Sequence, residues 1–300
     1  MVTDLRNSIP AGAMLVAVDT SDCSRLALEW AAAMARLLDV PLRAVQAWQY
    51  PTDTVWWPGR AQLPDAEAAD ERLTEELTAL LDEVVGDASD LDVGVDVVRG
   101  PTSAALLHLA EGHASMIVVG SRGLGGFRGL LLGSVSRQLC EHAPCPVTVV
   151  RHLPEDRDLR LETILVGVDG SGHAARALAH AGDLAERTGA RIIAVHAAHG
   201  PVPDASVQPL ATRRRSLPEL LEDWCTPLHV RGLDDHESVI AEGDPRTALL
   251  DVAEERGADL VVIGSRGLGP VSKLVLGSVA SSLIHHSRIP VTVVPPMPER

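Results

Sequence analysis

"VVGSRGLGGFRGLLLGSVSR" (Val118–Arg137) packs six glycines into twenty residues, yet an apolar run leads into it and a helix-like run leads out. The chain then does nearly the same again in "VVIGSRGLGPVSKLVLGSVAS" (Val261–Ser281). Glycine accepts positive φ, and it lets the backbone approach another group with no Cβ in the way. A strand that runs through glycines into a helix therefore reads as a turn that must come close to something.

Other landmarks recur in the same order. "MLVAVDTS" (Met14–Ser21) returns as "ILVGVDGS" (Ile164–Ser171), and "AVQA" at Ala44 returns as "AVHA" at Ala194, both at an offset of 150 residues. The glycine segment returns at an offset of 144, and "CPVTVV" at Cys145 becomes "IPVTVV" at Ile289. A period of that length is too long for a solenoid and marks a duplicated domain. Residues 1–150 form the first copy and residues 161–300 the second. The charged, proline-containing "RHLPEDRDLR" (151–160) links them.

Within each copy short apolar runs alternate with helical periodicity. In the first, Ala13–Val18, Leu42–Trp48, Val93–Val98, Met116–Val119 and Val147–Val150 read as strands. Ser24–Leu38, Asp65–Val85, Thr102–Glu111 and Ser134–His142 read as helices. The second follows suit, with helices at 174–187, near 218–224, at 246–256 and at 278–286. Continuously apolar strands separated by helices specify a parallel sheet covered on both faces, a doubly wound α/β fold.

The composition narrows the function. Hydrophobic residues make up 46% and aromatics 2%, so the core is aliphatic. A net charge of −15, with 10 basic and 20 acidic residues in 1–150 and 16 and 21 in 151–300, disfavours nucleic acid and anionic membrane as partners. No segment has the length and apolarity of a signal peptide or a bilayer span. Cys23, Cys140, Cys145 and Cys225 form no CxxC pair, so they read as free thiols in a cytoplasmic protein.

In doubly wound sheets ligands sit at the carboxyl ends of the strands. The glycine segment begins there and ends at a helix N-terminus, where free amides and a partial positive charge favour anions. Ser134 and Ser278 are placed to cap those helices and to donate to a phosphate. Other phosphate-binding signatures fail on spacing. No lysine precedes Ser134 or Ser278 as a Walker A loop requires, and GxGxxG/A occurs only once, at Gly170–Ala175. The spacing that does fit is G-x2-G-x9-G-[ST], once from Gly120 through Gly123 to Gly133-Ser134, and again from Gly264 through Gly267 to Gly277-Ser278. Each copy follows a first strand that ends in an aspartate, Asp19 or Asp169.

In these motifs, and over essentially its whole length, the chain resembles the tandem-domain form of the universal stress protein family. The resemblance implies a five-stranded sheet per domain in the order 3-2-1-4-5, with the two domains packed as a pseudo-dimer through Val147–Val150 and Val291–Val294. It also implies ATP with Mg2+, or a related adenine nucleotide, in the ATP-binding branch. Carried onto this sequence, Asp19 and Asp169 lie beside adenine and ribose, and Ala17 and Gly167 leave room for the nucleotide. Val45 and Val195 meet adenine through their backbone. Ribose and phosphates fall to Gly120, Ser121, Arg122, Gly123, Leu124, Gly125, Gly126, Gly133, Ser134 and Val135. In the second domain the same parts fall to Gly264, Ser265, Arg266, Gly267, Leu268, Gly269, Gly277, Ser278 and Val279. Pro270 stands where the first copy has Gly126 and removes one amide donor.

His196 with His199, and His285 with His286, have no counterpart in the other copy and read as structural or surface residues. Trp56 and Trp57 read as a lid or a patch for a protein partner. Nucleotide binding without an evident general base leaves three functions open: a stress-response regulator that hydrolyses ATP slowly or not at all, an ATP-using enzyme such as a weak ATPase or adenylating hydrolase, and an assembly module. Homodimerisation of the tandem chain is compatible with each.

Overall fold

The computed structural model describes residues 9–49, 65–123, 132–154, 159–198, 216–267 and 276–296. The chain divides into two compact units, residues 1–139 with 143–145, and residues 140–142 with 146–300.

Unit 1 begins with β1 (Ala13–Ala17), α1 (Asp22–Leu38), β2 (Leu42–Trp48) and α2 (Ala66–Val85). It continues with β3 (Val93–Arg99), α3 (Thr102–Ala110), β4 (Ala114–Gly120) and most of α4 (Ser134–His142). Strands β3, β2, β1 and β4 lie side by side in that order, all parallel. Helix α1 shows why these residues fold so. Ala27, Leu28, Ala31, Met34, Ala35 and Leu38 recur at helical spacing and are buried, while the Ser21 hydroxyl accepts from Ser24 N–H at 3.2 Å to start the helix. Asp39, with φ of 48°, ends it in the left-handed conformation.

Unit 2 holds β5 (Val147–Val150), β6 (Thr163–Gly167), α5 (Gly172–Thr188), β7 (Arg191–Ala198), α6 (Leu217–Trp224) and α7 (Thr226–His229). Then come β8 (Glu237–Glu242), α8 (Pro245–Glu255), β9 (Leu260–Gly264), α9 (Ser278–His286) and β10 (Val291–Val294). Strands β10, β9, β6, β7 and β8 are parallel neighbours, and β5 pairs antiparallel with β10, the Thr148 and Thr292 hydroxyls bonding at 2.8 Å. Numbered within each repeat, the strand order is 3-2-1-4-5, as the resemblance implies. Ser171 caps α5 and Gly189 ends it at φ of 75°, repeating the Ser21 and Asp39 devices at the offset of 150.

The core is aliphatic, as the composition requires. Leu15, Val16, Ile117, Leu165, Val166, Val261 and Val262 are fully buried. All four cysteines are free thiols, and burial pushes Cys140 and Cys145 up to about 12 and Cys225 to about 11. Among the described residues no helix is long and apolar enough to cross a membrane. Helix α7 was not legible in the sequence, because four residues are too few to show a period.

Within α5, His180 Nε2 is enclosed without a hydrogen-bond partner, and desolvation pushes its pKa down to about 4. An unfolded histidine takes up a proton near pH 6.5. Acid therefore favours the unfolded chain as pH falls from about 6.5 to about 4, and this contribution is flat below that interval. His180→Leu should gain about 2 to 3 kcal/mol relative to wild type at pH 4.5 compared with pH 7.5, measured by denaturant unfolding. Equal pH slopes in the two proteins would mean that the ring is not held neutral.

Candidate functional site

The glycine segment and the Asp-ending strand meet at the carboxyl edge of each unit's sheet. The described glycines of the motif do not have positive φ; what they require is close approach. A Cβ on Gly120 would lie 2.6 Å from the backbone of Cys23, and one on Gly264 would lie 2.7 Å from the backbone of His173. These two glycines let the ends of β4 and β9 touch the first turns of α1 and α5.

Gly123 and Gly267 act differently. A Cβ there would fall 2.3 Å and 2.4 Å from Oδ2 of Asp19 and Asp169 respectively. Each carboxylate is already oriented, since Ser21 N–H donates to Asp19 Oδ1 at 2.9 Å and Ser171 N–H to Asp169 Oδ1 at 3.0 Å. The glycine thus leaves the place that the aspartate fills. The fixed gap of nine residues also has a local cause. Gly133 N–H donates to Ser121 O, and Gly277 N–H to Ser265 O, each at 2.8 Å. The loop leaves and returns at one point.

The serines differ from the sequence expectation. Gly133 and Gly277 are the N-cap residues, and Ser134 and Ser278 are the first residues of α4 and α9, with no side-chain cap bond at either helix. The amide of the cap residue, one before the serine, instead bonds back to Ser121 O or Ser265 O. The hydroxyls of Ser134 and Ser278 are consequently not used for capping.

In unit 2 these parts enclose a cavity of about 600 Å³. Gly167, Asp169, Val195, Gly264, Ser265, Arg266, Gly267, Gly277, Ser278 and Val279 all line it, every described site residue expected of the second repeat. Val195 O accepts from Val168 N–H at 2.8 Å, as Val45 O does from Val18 N–H at 2.9 Å in unit 1. At Gly167 a Cβ would stand 3.2 Å from Ile263 and 3.3 Å from Leu249, a tight place; unit 1 has Ala17 at the matching position. Leu124, Gly125, Gly126, Leu268, Gly269, Pro270, Trp56, Trp57 and His199 lie outside the described residues.

Sequence reasoning set His196 aside, and the structure puts it on the cavity wall. Its Nδ1 bonds Val168 O at 2.8 Å, and its ring meets Trp224 edge-on with centroids 5.1 Å apart. The signal missed was register rather than type, because His196 follows Val195 on the same strand. Pro245 and Leu249 of α8 line the cavity as well. Their clue was Pro245 itself, which repeats Pro101 at the offset of 144 and marks a helix start at the same edge of the sheet.

Charge near the cavity is mixed. His173 bonds Arg176 Nη2 at 3.0 Å through Nδ1, and the Ser265 hydroxyl lies 3.4 Å away. Burial first, then the charges of Arg176 and Arg266, push the His173 pKa down, against the opposing pull of Asp169. Arg266 and Asp169 are thus both within electrostatic reach of one ring. Such a cavity offers apolar walls, one carboxylate, a guanidinium and the amides of a helix start.

Residues 12–151 and 160–295 each match the sequence profile of the universal stress protein family. A universal stress protein of Mycolicibacterium smegmatis is 32% identical over 292 residues, covering 94% of this chain and 97% of the relative. One from Mycobacterium tuberculosis (strain H37Rv) is 33% identical over 296 residues, covering 93% and 96%. The crystal structure of a universal stress protein from Archaeoglobus fulgidus aligns with a TM-score of 0.67 at 25% identity, over 94% of this chain and 98% of that one.

The two kinds of glycine should separate on substitution. Gly264→Ala inserts a methyl group against the start of α5 and should destabilise the protein by about 1–3 kcal/mol. Gly267→Ala meets only the end of a side chain and should leave the melting temperature nearly unchanged. Calorimetric melting of ligand-free protein checks both, and equal losses would erase the distinction.

Proposed function

The chain belongs to the universal stress protein family, in its tandem two-domain form, and from that premise we propose that it binds an adenine nucleotide, ATP with Mg2+. In this reading it acts in the cytoplasm as a nucleotide-dependent regulator of a stress response and turns ATP over slowly or not at all. The observation that carries the reading is the unit 2 cavity, built from the motif residues themselves. Its volume of about 600 Å³ falls within the roughly 300–1,000 Å³ common for small-molecule sites. Val195, Leu249 and Ile263 suit a flat apolar base, and Asp169 suits ribose hydroxyls. Arg266 and the first amides of α9, which have no intrahelical acceptor, suit phosphate oxygens. Unit 1 repeats the Asp19–Gly123 and Ser121–Gly133 arrangements, which supports a second site there.

The chemistry of the described wall supports the slow-turnover part of this reading. Phosphoryl transfer to water needs a group that orients the attacking molecule in line with the leaving oxygen. Asp169 is the one carboxylate among the cavity's described lining residues, and Ser171 N–H holds its Oδ1. Binding without rapid hydrolysis is what a sensor requires.

Protein purified without added nucleotide should release adenine nucleotide on denaturation, read by mass spectrometry. Calorimetry with ATP and Mg2+ should then find two sites per chain, the second weaker because Pro270 offers no amide. Failure to bind ends the reading, and turnover at ordinary enzyme rates, on the order of 1 s⁻¹ or faster, would make the chain an ATP-using enzyme instead.

The role of Gly267 is open to a sharper test in a Gly123→Val background, which should silence the first site. Asp169→Ala should weaken Mg-ATP binding by about 1.5–3 kcal/mol, one to two decades. Gly267→Ala should do the same, and the double variant should be no worse than either alone. Additive losses would show that the glycine does not act by placing the aspartate.

A further inference from the structure

Away from the cavity, one fifteen-residue segment of unit 2 gathers Glu222, His229 and His236, whose nearest ligating atoms all lie within 4.8 Å of one another. His229 Nε2 is 3.1 Å from Glu222 Oε1, and His236 Nε2 is 3.9 Å from the same oxygen. The two imidazole centroids are 5.2 Å apart. We propose that this His2Glu cluster is a binding site for a divalent transition-metal ion of the Zn2+ type.

The local fold holds the three groups in place. Leu221, Cys225 and Leu228 are buried to 1% exposure or less at helical spacing and pin α6 and α7 to the unit. Glu222 and His229 each sit one residue beyond a member of that row and emerge at its margin. Gly232, with φ of +73°, then turns the chain so that His236 returns beside them. The whole site is made from one segment and needs nothing from unit 1.

The orientation of His236 is that of a metal ligand. Its Nδ1 donates to Leu233 O at 3.0 Å, since a carbonyl only accepts. That bond turns Nε2 toward the Glu222 carboxylate, at 3.9 Å and so beyond direct hydrogen-bond reach, while the side chain is only 3% exposed. A gap of that width between two ligand atoms, with a second imidazole beside it, is one that a cation can fill. A backbone carbonyl holding the far nitrogen of a ligating histidine is the common outer support of metal sites. The Ser238 hydroxyl, 3.4 Å from Glu222 Oε2, gives the carboxylate similar support.

The donor set selects the ion. Two imidazoles and a carboxylate suit Zn2+ and its first-row neighbours, with a fourth position left to water. Bond lengths near 2.1 Å at tetrahedral angles put ligand atoms about 3.4 Å apart, so side-chain shifts of about 1 Å bring atoms within 4.8 Å of one another to that spacing. The Cys225 thiol is not one of the clustered ligand groups and lies 3.9 Å from the Ser238 hydroxyl. Neither the histidine pairs weighed in the sequence nor any standard zinc spacing points here, because E-x6-H-x6-H is not a known signature.

The test uses the full chain, stripped with a chelator, desalted and free of nucleotide, so that it is independent of the proposed ATP site. Titration with Zn2+ against a chromophoric chelator should show one tight site per chain. Glu222→Gln, which is isosteric, and His229→Ala, at a partly exposed position, should each lower the affinity at least tenfold with unchanged circular dichroism. His286→Ala, remote from the cluster, should not. Co2+ should give the intense visible bands of a four-coordinate ion, altered in His229→Ala. Absence of a site near one Zn2+ per chain, or the same affinity in Glu222→Gln, His229→Ala and wild type, would overturn the proposal.

Discussion

Everything at the carboxyl edge of each sheet depends on how closely the last residue of the fourth strand approaches the first turn of the helix after the first strand. At Gly120 and Gly264 the separation leaves no room for even one carbon. That contact sets the loop carrying Asp19 or Asp169 directly against the loop carrying Gly123 or Gly267. A carboxylate and a bare peptide then share one small volume. Packing of this kind is enforced by hard-core repulsion, which is steeper than any hydrogen bond and gives the edge its definition.

The two repeats keep this constraint and differ in what surrounds it. Cys23 occupies the position of His173, Ala17 that of Gly167, and Gln46 that of His196. Trp224 lies over Gly170, whose φ of +80° and lack of a side chain admit the indole, whereas Thr20 holds that place in the first repeat. The backbone frame is therefore common, while the walls are particular to each copy. A duplicated domain can hold one geometry and alter its chemistry in this way, because main-chain contacts tolerate side-chain change where side chains point outward.

The sheet order and most elements were legible in the sequence because buried parallel strands are continuous apolar runs and the repeat supplied each of them twice. The motif residues were legible for the same reason, since Gly120, Gly123 and Gly133 recur with fixed spacing. What stayed hidden was whatever depends on through-space neighbours without a period. His196 looked like a stray histidine until the strand register put it beside Val195 on the cavity wall. Ser134 and Ser278 looked like caps, and only the helix geometry shows that Gly133 and Gly277 hold the cap positions, with their amides bonded to Ser121 O and Ser265 O. Glu222, His229 and His236 meet through the Gly232 turn, which no spacing rule anticipates.

The bond from Gly133 to Ser121, with its twin from Gly277 to Ser265, has an evolutionary consequence. Each ties the residue just past a strand to the residue that opens a helix, so strand and helix hold each other directly. Selection can rewrite the sequence between them while that tie stays in place. The replacement of Gly126 by Pro270 between the copies is a change of that sort. A gene carrying two such ties on one frame can retain an ancestral response in one copy and explore a new one in the other.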